Sequence, residues 1–435
     1  MPSTMSPQVQ LWQSELVLCR ALYEGWEAVR ARCRDFLPRH PKEDPQDYLI
    51  RVNRPTFYNA FGRTVRSLAG TVFKEPPTRE GIPSEITDLF DSDIDLQGTK
   101  GDPFCLHVFT DALATGLAGI FVDMPENTGG KTLLEAQELD IRPFWNLIRK
   151  DDIVSFRTDV VNGKTVLGQF VYHELVEVGS GKFGVEWQDQ WRVFRRTDDA
   201  VTFETWGRGK GDKLMPITPV GTFRGVTEIP FAPIYTSRDD FMCARPPLID
   251  LANLNLLHYQ TNSDLHHAAH LANVPIIVTK GIDGELQIGP NRSINFPAGV
   301  EGDAHWMETT GASLGSTRAI LADIEAQMAA LGLGMLQRQT RAAETAEKAS
   351  IDRKDQDAPL VGIVGDLEDG LDIALGFTAQ FLGMDFEEGG HLEFSREFTA
   401  QPNAADRTEN GGAPKDPNAP KQPGETNNPA TSGAR

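Results

Sequence analysis

The chain has 435 residues, of which 40% are hydrophobic and 24% charged, and its formal net charge is −20. This length supports two or three domains around a large buried core. The acidic balance argues against a surface that grips nucleic-acid phosphates over its whole extent. Nucleic acid could still pass through a channel that repels it, where adhesion would be a fault.

Three further absences in the sequence narrow the class of protein. The four cysteines are scattered and form no C-x-x-C pair, which indicates packing in a reducing cytoplasm rather than a disulfide scaffold. The start of the chain lacks the basic and apolar segments of a secretory signal. No apolar run is long enough to span a bilayer. We therefore expect a protein that is made in the cytoplasm and has no membrane partner.

The first part of the chain shows helical periodicity. Residues 8–34 carry one apolar stripe, and residues 38–45 predict a loop. A polar turn at Tyr48 then precedes a second amphipathic helix, which Pro76 and Pro77 end. The two stripes consist of Leu11, Leu18, Leu22, Trp26 and Val29, and of Phe57, Phe61, Val65, Leu68 and Val72.

The next segments predict a mixed structure. Residues 81–97 favour a short acidic helix or turn, and residues 104–115 a further helix. The run from Gly119 to Val122 is short and apolar and is bounded by Pro125, which is typical of a buried strand.

Residues 153–235 show alternating polarity. The dipeptide Asn162-Gly163 between strand-forming residues is the strongest short-range hairpin signal in the chain. Two more strands are expected near residues 187–196 and 201–206. Such an antiparallel meander with helices on one face gives the α+β fold class.

The last third returns to helices. A long helix is predicted over residues 246–272, about 40 Å at about 1.5 Å per residue. Residues 274–307 favour strands and turns, and a further helix begins near Ser316 with a polar continuation over residues 338–357. Pro359 is expected to separate it from a final amphipathic helix. The two stripes consist of Ile320, Ile324, Met328, Leu331 and Met335, and of Leu360, Val364, Leu367, Leu371, Ala374 and Phe381.

Two short motifs raise the hypothesis of a nucleotide- or metal-dependent enzyme. The GGKT at residues 129–132 ends like a phosphate-binding loop, but Pro125 stands where that loop needs its first glycine. His266 and His270 are four residues apart on the long helix, a spacing that can hold zinc. His267 occupies the place of the catalytic glutamate in the zinc-protease pattern. We predict no catalytic residue, no metal site and no cofactor.

Basic residues are sparse in the helical and strand regions of the last third. Arg338, Arg341 and Lys348 share one polar helical segment, while Lys280 and Arg292 lie in the strand-and-turn segment. The ordinary interpretation is solvated surface charge. The functional interpretation is sparse, sequence-independent contact with a double-stranded DNA backbone.

Several phrases, in order and over roughly residues 10–390, together make the chain resemble the portal proteins of tailed bacteriophages. The phrases are Phe36-Leu-Pro38, Tyr48-Leu-Ile-Arg51, Tyr58-Asn59, Gly70-Thr-Val-Phe73, Gly119-Ile-Phe-Val-Asp123, Arg142-Pro-Phe-Trp145, Ile229-Pro-Phe231, Pro247-Leu-Ile-Asp-Leu-Ala252, His258-Tyr-Gln260 and Glu344-Thr-Ala346.

This resemblance implies a structural protein of the virion, a head-to-tail connector rather than an enzyme. Its subunits would form a ring, usually a dodecamer, at the portal vertex of the capsid. DNA would pass through the ring non-specifically during packaging and ejection. The expected partners are the terminase large subunit, head-tail adaptor proteins and the major capsid or scaffold protein.

The resemblance also implies a division of the chain, with DNA-channel candidates at Arg338, Arg341 and Lys348. Candidates for partner docking at the clip are Lys280, Asp283, Glu285 and Arg292. The expected parts are an α+β wing (1–245), a stem helix (246–272), a clip with return strands (273–312), a channel-proximal helix (313–357), a crown helix (358–395) and a disordered tail (396–435).

One departure from the family pattern leaves alternatives open. Portal subunits usually carry a second stem helix after the clip, and residues 274–313 show no helical stripe. Either the clip and its return are short, or the boundary lies elsewhere. A different virion protein, such as an adaptor or shell subunit, stays in competition with the portal hypothesis.

Overall fold

In a computed structural model, the structure describes residues 1–125, 141–180, 183–209, 211–223, 225–273, 276–280, 302–307, 312–333 and 346–396. The described residues all belong to one compact unit, Met1–Phe398. This unit mixes helices and antiparallel sheets in the predicted α+β class. None of the described helices is both long and apolar enough to cross a membrane.

In sequence, the helices fall mainly before residue 116 and after residue 248 of this unit. They are α1 (Pro7–Glu24), α2 (Trp26–Ala31), α3 (Cys33–Phe36), α4 (Pro45–Asn53), α5 (Ala60–Val72), α6 (Ser84–Ser92), α7 (Gly101–Thr115), α8 (Ile249–Ala272), α9 (Ala312–Leu333) and α10 (Ala346–Phe381). Short 3-10 turns span Lys150–Asp152 and Phe386–Gly389.

Most of the strands lie in the chain between α7 and α8. They are β1 (Thr78–Glu80), β2 (Leu117–Asp123), β3 (Phe144–Arg149), β4 (Ile153–Val161), β5 (Lys164–Ser180), β6 (Gly184–Arg196), β7 (Val201–Arg208), β8 (Leu214–Pro216), β9 (Gly221–Phe223), β10 (Phe231–Tyr235), β11 (Arg238–Asp240), β12 (Cys243–Ala244), β13 (Ile276–Lys280), β14 (Asp303–Met307) and β15 (His391–Glu393).

A small antiparallel sheet of order β10-β2-β3 forms the centre of the core. Every residue of β2 is buried, so both of its faces are covered. One face carries Phe121, whose ring lies 4.3 Å from that of Phe194 on the larger sheet. On the other face, Trp145 donates its Nε1–H to Thr378 Oγ1 of α10 at 2.8 Å. The small sheet is therefore packed between the large sheet and a helical layer.

The large sheet has the order β4-β5-β6-β7-β8, with β9 pairing to β7. Its predicted Asn162-Gly163 hairpin is confirmed, because these residues connect β4 and β5 with positive φ angles of 51° and 79°. Asparagine and glycine tolerate this left-handed backbone, which matches the twist of the paired strands. The predicted buried strand at Gly119–Val122 is also confirmed, as the middle of β2.

The N-terminal helix is broken where the sequence predicted continuity. Gly25 separates α1 from α2 with a φ of 97°, and Arg32 separates α2 from α3. The turn expected at Tyr48 is wrong, since that residue lies inside α4. Asp44 caps α4 by accepting a hydrogen bond from the N–H of Gln46 at 2.8 Å. A capping acid followed by proline is a favourable start for a helix.

The helix boundary expected at Pro359 is also wrong. The last helix, α10, runs without interruption from Ala346 through Pro359 to Phe381. A proline inside a helix costs roughly 3 kcal/mol, but the following turns bury Leu360, Val364 and Leu367 in the core. Burial of such side chains contributes about 1.5–3 kcal/mol each and offsets that cost. The expected tail from residue 397 onwards lies outside the described residues.

Candidate functional site: the α8–α9 helix pair

The chain enters α8 through a buried crossing. Gly116 has a φ of 90°, and a Cβ there would lie 2.5 Å from the carbonyl of Arg245. Beside this crossing, the Nζ of Lys150 donates hydrogen bonds to the carbonyls of Thr115 at 3.0 Å and Ala244 at 2.8 Å. Burial lowers the pKa of Lys150 to about 8. The lysine thus ties the strand before α8 to the end of α7.

The part of α8 up to Asn262 is held in the core by polar side chains. The Oδ1 of Asn255 accepts from the N–H of Phe61 at 3.0 Å, and its Nδ2 donates to the carbonyl of Tyr58 at 2.8 Å. Two turns further on, Asn262 donates to the carbonyl of Thr56 at 2.9 Å. These amides satisfy backbone groups at the start of α5, where an unpaired buried group would be costly.

The part of α8 after Ser263 leaves this core. Asp264, His266 and His270 are exposed, and His267 is half-buried. Across the part of the chain that the structure describes, no group of three or more His, Cys, Asp or Glu side chains could hold a metal ion. Within those residues, the histidine pair has no further ligand of the kind that a zinc site needs.

Helix α9 packs back along α8. The Nε2 of His258 lies 3.1 Å from the Oε1 of Glu325, and the two form a hydrogen bond between the helices. Leu321, Ile324 and Met328 of α9 are buried, as the sequence stripe predicts for the last two. A Cβ at Gly332 would lie 2.8 Å from Thr64 Oγ1, which brings the end of α9 close to α5. Both helices are therefore rooted at the same side of the core.

Strands β13 and β14 lie in the chain between the two helices. They pair antiparallel from Ile276 opposite Met307 to Lys280 opposite Asp303. Lys280 is exposed at the end of β13. The other predicted docking residues, Asp283, Glu285 and Arg292, lie outside the described residues.

The predicted DNA-channel residues are not brought together by the described structure. Arg338 and Arg341 lie outside the described residues. Lys348 lies in the first turn of α10, and its side chain is likewise outside them. These residues stay predictions.

The structure adds residues that the sequence reasoning missed. Asn255, His258 and Asn262 lie on one face of α8, at intervals of three and four residues, and all are buried. The sequence signal for this face is the repeat of polar residues at helical spacing within a long helix. Such residues, when buried, need specific hydrogen-bond partners.

The chemistry of the described residues favours no nucleophile. Burial raises the pKa of the Cys19 thiol to about 12, and burial also raises the pKa of Cys105. Only the thiolate is reactive, so both cysteines are inert packing residues. The GGKT motif at residues 129–132 lies outside the described residues.

One comparison with known proteins matches the part of the chain that contains the α8–α9 pair. A family described as "Domain of unknown function (DUF4055)" matches residues 247–382, which run from the start of α8 to the end of α10. No curated protein sequence matches the chain significantly.

Two solved structures align over most of the chain. The neck of an empty GTA particle, computed with C6 symmetry, aligns with a TM-score of 0.39 and 12% identity, covering 84% of this chain and 88% of that one. The neck of a native GTA particle, computed with C12 symmetry, aligns with a TM-score of 0.36 and 14% identity, covering 86% of this chain and 90% of that one. Neither TM-score is high enough to assign the fold.

Proposed function

We propose that the chain is the subunit of a ring-shaped portal, a structural protein at the head-to-tail junction of a phage-type virion. The observation that carries the proposal is the α8–α9 pair, because both helices are rooted in one α+β body and the β13–β14 strands lie between them. A stem of two helices with a clip between them has this connectivity. The ordered phrases of the sequence resemblance supply independent support.

The proposal changes one part of the expected division. Residues 313–357 were expected to form a channel-proximal helix, and residues 274–313 showed no second stem helix. The antiparallel packing of α9 on α8 favours Ala312–Leu333 as that second stem helix. The clip would then lie between Ala272 and Ala312. The wing, clip and crown remain proposals for the corresponding parts of the chain.

Charge is consistent with passage of DNA through such a ring. A chain with a net charge of −20 repels phosphates, so DNA would slide rather than adhere. Closure of a ring needs contacts between two different faces of the same subunit. Terminase, adaptor and capsid or scaffold proteins are the partners proposed for the ring, at the portal vertex of the particle.

The test is native mass spectrometry of the full-length protein with negative-stain microscopy, over a wide range of protein concentration. The expected result is a closed ring of about a dozen copies with an axial hole. A protein that stays monomeric at every concentration, or forms only open filaments, would overturn the proposal.

A matched pair of variants asks whether α9 belongs to the stem. Met328 is buried against the core and Gln327, its neighbour, is exposed. Met328→Asp should detach α9 and abolish ring formation, because a buried charge without a partner is costly. Gln327→Asp should leave the ring intact. Equal behaviour of the two variants would contradict a stem that includes α9.

A further inference from the structure

A groove of about 470 Å³ opens beside the free edge of the small sheet. It lies between the start of β5, strand β10 and helix α10. Its apolar wall includes Phe231, Tyr235, Phe241, Ile373 and Phe377. Pockets of this volume accept side chains or small ligands, since specific sites span roughly 300–1,000 Å³.

The edge of β10 does not invite another strand. Hydrogen bonds from Val122 N to Pro230 O and from Thr236 N to Gly116 O show that the even-numbered residues of β10 face β2. The odd-numbered Pro233 therefore lies at the free edge, where it has no N–H to donate. Proline at such a position blocks strand addition. An occupant of the groove enters with side chains.

The rim of the groove carries an uncompensated negative charge. Glu228, Asp366 and Asp369 form no hydrogen bond or ion pair with any residue that the structure describes. Asp372 is engaged, because its carboxylate accepts from the N–H of Leu392 and bonds His391. Among the described residues that line the groove, Arg238 alone is basic, and its guanidinium lies 5.0 Å from the centre of the Tyr235 ring.

This arrangement matches the chemistry of an arginine partner. Four carboxylates against one guanidinium leave the groove with a formal charge of −3, from −4 and +1. Burial raises the pKa of Asp366 and the neighbouring Asp369 adds to the shift, while Arg238 lowers it. Guanidinium groups pair with carboxylates and stack on aromatic rings, as Arg238 already does.

Helices α2 and α3 and the loop to residue 44 carry five basic side chains against four acidic ones, a formal charge of +1 from +5 and −4. Arg30, Arg34, Arg39 and Lys42 are all exposed there. Throughout the described ranges, none of the four has a carboxylate at ion-pair distance, whereas Arg32 pairs with Asp35 at 3.6 Å. We define these four residues as the basic corner. It is an exception in a chain whose net charge is −20.

The groove and the basic corner belong to different parts of the molecule. Helix α2 packs on α1 and α3, and the end of α3 is held by Gln260 of α8, which donates to the carbonyl of Phe36 at 2.9 Å. The groove is built from β5, β10 and α10 instead. Because the groove and the basic corner are built from different elements of one copy, the groove of one copy can meet the basic corner of another.

We propose that the acidic groove of one copy receives the basic corner of the next copy of the same chain. This inference rests on the proposed ring, since a groove-to-corner contact is heterologous and repeats around a closed ring. A second copy is favoured as the partner because it brings the missing cations in a one-to-one ratio. Nucleic acid is disfavoured, because the carboxylates repel phosphates.

The electrostatic reason for such a contact is also general. Copies that each carry a large negative charge repel one another, so association depends on local patches of opposite sign. The contact should weaken as salt rises, because the screening length falls from about 10 Å at 0.1 M to about 3 Å at 1 M.

The test is a charge exchange in the full-length protein, with ring assembly followed by native mass spectrometry. One variant carries Glu228→Lys and Asp369→Lys, another carries Arg34→Glu and Arg39→Glu, and a third carries all four changes. All four positions are exposed, so each variant should fold with the wild-type unfolding temperature. The matched control reverses Asp198 and Asp199, which are exposed in the turn between β6 and β7.

Each double variant should raise the protein concentration needed for half assembly at least about tenfold, which corresponds to about 1.4 kcal/mol. The fourfold variant should restore assembly, and the Asp198 and Asp199 control should assemble normally. If the wild-type protein forms rings and both double variants assemble as well as it does, this inference is overturned and the proposed function stands. Loss without restoration would show that the two surfaces serve other partners. A wild-type protein that never assembles would overturn both proposals.

Discussion

The part of α8 up to Asn262 and the part after it differ in their surroundings. The first part places Asn255, His258 and Asn262 inside the protein, each with a hydrogen-bond partner. The second part exposes His266 and His270. One continuous helix is therefore a fixed anchor at its start and a projecting element at its end.

This difference teaches how a projecting helix can be held without a large apolar contact. Amide side chains that satisfy backbone groups elsewhere fix both the depth and the rotation of the helix, because each hydrogen bond needs its own geometry. A purely apolar face would resist rotation less. The rooted part should therefore dominate stability, and the projecting part should tolerate substitution.

The largest expected effect is at Asn255. Asn255→Leu removes the partners of the buried N–H of Phe61 and of the part-buried carbonyl of Tyr58, and an unsatisfied buried group costs roughly 1–3 kcal/mol. We expect the free energy of unfolding to fall by about 2–5 kcal/mol in urea denaturation. Asn253→Leu is the matched control, because Asn253 is exposed two residues away. Equal losses in both variants would refute the anchoring role of Asn255.

A smaller effect is expected between α8 and α9. Glu325 is about half exposed, whereas His258 is buried. Glu325→Ala should therefore destabilise the protein by less than about 1 kcal/mol. A double-mutant cycle with His258→Ala should give a coupling energy of about 0.5–1 kcal/mol, measured by chemical denaturation. Zero coupling would show that the bond does not help to dock α9.

The smallest effect is expected in the projecting part. His266→Ala and His270→Ala should each change the free energy of unfolding by no more than about 0.5 kcal/mol, because exposed positions rarely matter more. Adding zinc should leave the thermal unfolding temperature of the wild-type protein unchanged. A zinc-dependent rise that His270→Ala removes would instead establish a metal site and contradict this picture.

Local patterns predicted the element types where the cause is local. The Asn162-Gly163 turn and the apolar run in β2 were both predictable, since the first depends on backbone preference and the second on burial of both faces. The break at Gly25 was not, because a glycine inside a helical stripe is tolerated in most sequences. At Gly25 the chain changes direction, so α2 does not continue the axis of α1.

Tertiary packing decided the features that periodicity missed. Pro359 does not end α10, because the residues after it are buried in the core. The partnership of α8 and α9 depends on His258 meeting Glu325, which are 67 residues apart in the sequence. No pattern within either helix specifies such a pairing. The charge imbalance of the groove also depends on segments that are distant in the chain.

The buried Lys150 at the crossing into α8 makes the protein a proton-linked system. Its pKa of about 8 in the folded state is lower than the ordinary lysine pKa of 10.5. Between these values the unfolded chain binds more protons than the folded one, so the lysine's contribution to stability rises with pH. The slope is at most about 1.4 kcal/mol per pH unit. Mildly alkaline solution therefore relieves the cost of keeping an ammonium group between two carbonyls at the root of the helix.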